Sequence, residues 1–169
     1  MRLTRGKVII IAIFVGIALT FVGLIAFERL EGEYIRPNIT VTMETVKMKG
    51  ININNPDLMI VLVEFAILNE TEQTLVVSKI DYDMYANESL VGRGNLSFLD
   101  IPLTGRAPLF PNSSTILPSE MQLRKSPEVI ETWEKLVNDD TEDITWHTKG
   151  VAQIESAFSI IEIDINSTL

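Results

Sequence analysis

The sequence predicts a mainly β protein, an antiparallel sandwich with one helix, preceded by a transmembrane helix. Three observations predict it. Residues 8–27 carry no charge; the rest is a series of short apolar runs broken by turn residues; and one stretch near residue 130 changes to helical spacing. The expected division is a basic cytoplasmic tail (1–7), a transmembrane helix (8–27), a linker (28–38) and an extracytoplasmic β-sandwich domain (39–169).

The anchor reads VIIIAIFVGIALTFVGLIAF, and at about 1.5 Å per residue it spans roughly 30 Å of hydrocarbon. Fourteen of its residues are Val, Ile, Leu or Phe, which together favour insertion by roughly 4 to 8 kcal/mol. A cleaved signal peptide would have a shorter apolar region ending in small residues, whereas this one runs into Ile25, Ala26, Phe27 and Glu28. Arg2, Arg5 and Lys7 precede the segment, and Glu28, Arg29, Glu31 and Glu33 follow it. Positive charge stays inside, so the expectation is a single-pass protein of the cell membrane, N-terminus cytoplasmic and domain outside. Ala12, Gly16 and Thr20 form a row of small residues at four-residue spacing that would seat a partner helix from another membrane protein.

Composition narrows the function classes. With 46% hydrophobic residues the chain can fill a core. A net charge of −9 repels phosphate backbones and argues against nucleic acid as a partner. The absence of cysteine removes disulfides, thiolate metal sites and thiol nucleophiles. His147 is the one histidine, too few for an imidazole metal centre.

An exported domain gives meaning to Asn-x-Ser/Thr triplets as glycan acceptors. Six occur, at Asn38, Asn69, Asn87, Asn95, Asn112 and Asn166, where chance would place about one or two. Asn69 opens the polar stretch Asn69-Glu70-Thr71-Glu72 between two apolar runs, and it reads as a turn at a solvent corner. Glu70 and Glu72 lack the third group that an acid and base pair would need.

The strands follow in order. Ile39, Val41 and Met43 alternate with threonines. Leu58 to Leu68 is a second run; Val76, Ile80, Tyr82 and Met84 alternate with Lys79, Asp81 and Asp83 in a third. Leu90 to Leu99 carries Gly92 and Gly94, which predict a bulge or close backbone approach. Met121 and Leu123 close a run opened by Pro111 to Ser114. Ser126 then suits an N-cap and Pro127 a first helical position, with Val129, Ile130, Trp133, Leu136 and Val137 forming an apolar stripe. Ile144 to Ile154 and Phe158 to Ile165 complete the domain, with Ile161, Ile163 and Ile165 opposite Glu162 and Asp164.

No catalytic, cofactor-binding or metal-ligating residues are assigned. Asp81 and Asp83 share a face with Lys79 and read as a solvated strand surface. Asn138 to Asp143 places acids beyond a helix C-terminus, where the dipole disfavours them. Water and salt suffice to offset such acids, and the alternative is a loosely held calcium, although the loop lacks the ordered spacing of a dedicated site. Gly92-Arg93-Gly94 is no phosphate loop, because no Gly-Lys-Ser/Thr follows.

The stretch FAILNETEQTLVVSKIDYDMYANESLVGRG, with PNSSTILPSEMQL, the following helix and WHTKGVAQIES, resembles the type 2 late-embryogenesis-abundant family, also called the water-stress and hypersensitive-response domain. The family's first turn carries Asn-Pro, whereas Glu70 follows Asn69 here. The resemblance implies an immunoglobulin/fibronectin type III-like sandwich with one helix, no known catalytic residues, and stress protection or binding at membranes. Similar anchored members occur in plants and archaea, and the lack of cysteine beside many acceptors points to an archaeal surface protein. The expected function is therefore a non-catalytic stress-protective or cell-surface binding module; the alternative is an accessory structural subunit of a larger membrane complex.

Overall fold

The computed structural model describes residues 5–99, 105–157 and 159–169. The expectations for Arg2 and Phe158 lie outside the described residues. The chain is mainly antiparallel β, with a long apolar N-terminal helix and one short helix inside the β domain. Helix α1 (Arg5–Ile35) leads through a 3-10 turn at Arg36–Asn38 into strand β1 (Ile39–Ile51). Strands β2 (Leu58–Asn69), β3 (Leu75–Ala86), β4 (Ser89–Ser97), β5 (Pro108–Leu109) and β6 (Ser113–Arg124) follow, then α2 (Ile130–Val137), β7 (Trp146–Glu155) and β8 (Ile160–Thr168).

The strands hydrogen-bond in the order β1-β2-β6-β4-β3-β7-β8, with β5 beside β3. Two groups are visible in this order, β1-β2-β6 and β4-β3-β7-β8, and they join through the single pairing Gly94↔Met121. That weak seam lets the sheet curl into a half-barrel whose two parts face one core. At the opposite side the edges approach each other, and the Met43 amide donates to Ser167 Oγ at 2.9 Å.

Alternation drives this closure. In β2 the side chains of Met59, Val61, Val63, Phe65 and Ile67 are buried, and those between them are half-buried or exposed. In β8, Ile161, Ile163 and Ile165 point inward opposite the exposed Glu162 and Asp164. Successive side chains of a strand point to opposite faces, so every strand contributes one apolar face to a shared interior. Phe65 and Tyr82 meet edge to face across the core with ring centroids 4.8 Å apart.

Several elements depart from the sequence expectation for identifiable reasons. The expected linker is helical through Ile35, because Glu28, Arg29, Leu30, Glu31 and Glu33 favour helix and the first proline is Pro37. Val77, not Val76, faces the core, since a register irregularity between Val77 and Lys79 against β7 turns both Val77 and Ser78 inward. Helix α2 begins at Ile130 with Val129 as its cap residue; Ser126 instead makes a side-chain hydrogen bond with Glu128 in the preceding turn, which lowers the Glu128 carboxyl below its usual value. Val129, Trp133 and Leu136 are buried as expected, while Val137 is exposed.

Candidate functional site

The end of the β domain nearest α1 is defined by pairing. Ile39 pairs with Asn69, and Asn69 pairs with Ser113. The Glu70 amide donates to Asn38 O at 2.9 Å. The turn after β2 therefore lies beside the exit of α1.

Asn69 corrects the expectation of a solvent corner. Its side chain is fully buried. Its Nδ2 donates to the carbonyls of Gln73 (2.9 Å), Leu109 (3.0 Å) and Phe110 (3.2 Å). Its Oδ1 accepts from the Thr71 amide at 3.0 Å and from Thr71 Oγ1 at 2.7 Å. A glycan on Nδ2 would replace one of the two N–H groups that hold these carbonyls. Thr71 is also buried, and Glu70, Glu72, Gln73 and Thr74 are exposed. The polar letters of this turn are thus an internal clasp with a charged exterior.

The other acceptors differ in setting. Asn87, Asn95, Asn112 and Asn166 are exposed and Asn38 is partly exposed. Asn38 Nδ2 donates to Tyr34 O at 2.7 Å, and Asn95 Nδ2 donates to Asp81 Oδ1. Asn87 and Asn112 adopt φ of 46° and 50°, left-handed turn conformations that asparagine tolerates better than most residues.

On the outer face of β4-β3-β7, the charged side chains pair with one another. Lys79 bridges Asp81, and Arg93 Nε reaches Asp83 Oδ1 at 2.9 Å. Partial burial pushes the Asp81 carboxyl up, but hydrogen bonds from Lys79 and Asn95, with the Lys79 charge, outweigh it and hold the group below its usual value. Gly94 and Gly150 flank Tyr82 on the two neighbouring strands. A Cβ on Gly94 would overlap the Tyr82 ring, and one on Gly150 would overlap the Asp81 carbonyl. The close approach expected at Gly92 and Gly94 is thereby located, since a Cβ on Gly92 would strike Met121. Burial raises the Tyr82 hydroxyl above its usual value, opposed in part by the hydrogen bond to Ser119 Oγ at 3.0 Å.

His147 Nδ1 lies 3.0 Å from Thr168 Oγ1. Among the described residues no three potential ligands converge on a metal position, including Asp139 to Asp143.

The large apolar side chains of α1 from Ile9 to Phe27 are exposed, and this helix is long and apolar enough to cross a membrane. Gly16 has no neighbour within 4 Å of a Cβ position, and Thr20 Oγ1 donates to Gly16 O at 3.0 Å. Past the apolar segment, Ile35 enters the core and Glu31 is buried, its Oε2 accepting from Ser159 Oγ at 2.8 Å. Between α1 and the β7–β8 turn lies a cleft of about 650 Å³ bordered by Ile25, Arg29, Gly32, Arg36, Ser159 and Ile160. Sequence reasoning missed this cleft because its two walls are more than a hundred residues apart.

No family model matches the chain, and no curated protein matches it. Solved structures do. A protein from Archaeoglobus fulgidus is similar at 18% identity over 76% of this chain and 94% of that one, with a TM-score of 0.45. A protein of Arabidopsis thaliana is similar at 15% identity over 76% and 79%, with a TM-score of 0.49. A protein provisionally described as late embryogenesis abundant is similar at 12% identity over 94% and 87%, with a TM-score of 0.45. A late-embryogenesis-abundant-like protein thus stands among the structural neighbours at low identity, and at these levels the likeness assigns neither ligand nor activity.

Proposed function

We propose that this protein is a single-pass, outward-facing, non-catalytic β module that protects or binds at the cell surface, of the late-embryogenesis-abundant kind that its strand order and Asn-led turn resemble. The carrying observation is the continuity of α1. Its apolar half is exposed along its length, which water penalises and a bilayer does not, while its far end is built into the β core through Ile35 and Glu31. The domain is therefore held close to the membrane by a helix that continues into it, with no flexible tether between. The basic residues before the apolar segment and the acidic ones after it support the outward orientation.

The absence of cysteine makes orientation directly testable. Ile53, 99% exposed, substituted to Cys is expected to react with a membrane-impermeant maleimide on intact cells, and Arg2→Cys only after permeabilisation. The reverse pattern would sink the proposal.

A second reading, an accessory subunit of a membrane complex, rests on the open small-residue row at Ala12, Gly16 and Thr20. At about 100° per residue this row faces away from the Arg29 side of α1, so a partner helix could dock without meeting the β7–β8 turn. Native mass after mild detergent extraction separates the two: a stoichiometric second polypeptide supports the subunit, and a lone chain the module.

A further inference from the structure

We infer that the cleft between α1 and the β7–β8 turn binds the phosphate of a membrane lipid; this rests on the proposal that α1 spans a bilayer. The helical wall includes Ile25, Arg29 and Gly32 of α1, whose spacing of four and three puts them on one helix face, with Glu28 and Glu33 beside them and Arg36 opening the 3-10 turn that follows. Their order along the axis follows the layers of a membrane. Ile25 belongs to the apolar segment. Arg29 comes two residues after Phe27, about 3 Å beyond the hydrocarbon edge and at headgroup depth. Arg36 lies roughly 10 Å further out and its long side chain can reach back.

Three observations favour a phosphate. Among the described residues, neither the Arg29 nor the Arg36 guanidinium takes part in an ion pair or hydrogen bond within the protein. Guanidinium forks match phosphate oxygens in bidentate fashion and shed water more readily than an ammonium does. Gly32 leaves the floor between them open, since a Cβ there would meet nothing within 4 Å. Opposite stands Ile160, 63% exposed, an apolar contact for the glycerol and upper acyl region of a lipid. Glu28 and Glu33 also border the cleft and offset the two cations. That balance disfavours a multiply charged headgroup and suits a phosphodiester bearing an ammonium or hydroxyl, which the carboxylates can accept.

The test uses the full chain in nanodiscs of phosphatidylcholine and phosphatidylglycerol, released into mild detergent for native mass spectrometry. Wild type is expected to retain one phospholipid. Arg29→Ala with Arg36→Ala should lower the retained fraction about tenfold or more. Gly32→Leu should do the same by filling the cleft, with far-UV circular dichroism reporting that the fold is kept, since a Cβ at this position meets nothing within 4 Å. Lys135→Ala, on α2, should retain lipid as wild type does. Retention by the double arginine variant, or a wild type without lipid, would overturn the inference. A parallel arm adds inorganic phosphate to lipid-free micelles: phosphorus NMR broadening that vanishes in the arginine variant, together with no retained lipid, would assign the cleft to free phosphate and overturn the lipid. Alkaline carbonate extraction separates the two levels of the argument. A chain washed from membranes defeats the anchor; one that stays integral yet keeps no lipid defeats only the cleft.

Discussion

Ser159 Oγ donates a 2.8 Å hydrogen bond to Glu31 Oε2 across 128 positions of the chain. This contact joins the turn between the last two strands to the helix that leaves the apolar segment, at a depth where both groups are buried. Ser159→Ala removes a donor to a buried acceptor and is expected to destabilise the domain by about 1.5 to 3 kcal/mol, read as a lower denaturant midpoint of the full chain in detergent. Protease cleavage of α1 between Glu28 and Arg36 should accelerate in the same variant. An unchanged midpoint with unchanged cleavage would show that the helix is not held through this bond.

Asn69 should be unglycosylated in the folded protein, whatever the occupancy of Asn87, Asn112 and Asn166. Peptide mapping after glycosidase treatment in heavy-oxygen water reports each position separately. The same residue should be among the most sensitive to substitution. Asn69→Asp keeps the volume but turns an acceptor toward three carbonyls, so it should cost on the order of 3 kcal/mol, as much as Asn69→Ala. Thr71→Ser, which retains the hydroxyl, should cost well under half of that.

Gly150→Ala is expected to cost on the order of 3 kcal/mol or more, because the atoms it would meet are the backbone of Asp81 and Tyr82 and cannot turn aside. Gly94→Ala meets a side chain instead. Combined with Tyr82→Leu it should be less damaging than the sum of the two single changes, a non-additivity that urea titration of the four members of the cycle can measure.

Tyr82 also sets an alkaline limit. Its folded pKa is raised above the ordinary 10.0, so the stabilising contribution of the neutral hydroxyl is fully present below the unfolded value and is lost as pH rises through the folded one. Tyr82→Phe should therefore weaken the domain at neutral pH, through loss of the Ser119 bond, and flatten the decline in stability above about pH 10. Absorbance at the phenolate band should show a titration above the ordinary tyrosine range that disappears in Tyr82→Phe. Asp81 acts in the opposite sense. Its lowered pKa contributes stability above the unfolded carboxylate value, lost as pH falls through the folded value. The contribution is at most a few tenths of a kcal/mol, since the group is half exposed and screened.

The sequence by itself determined what depends on local pattern. A charge-free run of twenty residues makes a helix long and apolar enough to cross a membrane, and alternation of isoleucines with Glu162 and Asp164 in β8 fixes which face of that strand is apolar. The small residues at Gly92 and Gly94 announced a close approach, although only the fold shows that Tyr82 and Met121 occupy the space. Tertiary structure decided whatever requires a partner far away in the chain. Asn69 reads as a surface turn residue because asparagine next to glutamate and threonine usually is one; it is buried because the carbonyls of Leu109 and Phe110, forty positions on, need its amide. Val77 replaces Val76 in the core because β7 imposes an irregular register on β3. The cleft beside Arg29 exists because a distant hairpin turn is fastened to Glu31. Periodicity is a property of neighbours along the chain, whereas a clasp, a bulge and a cleft are properties of groups brought together from its ends.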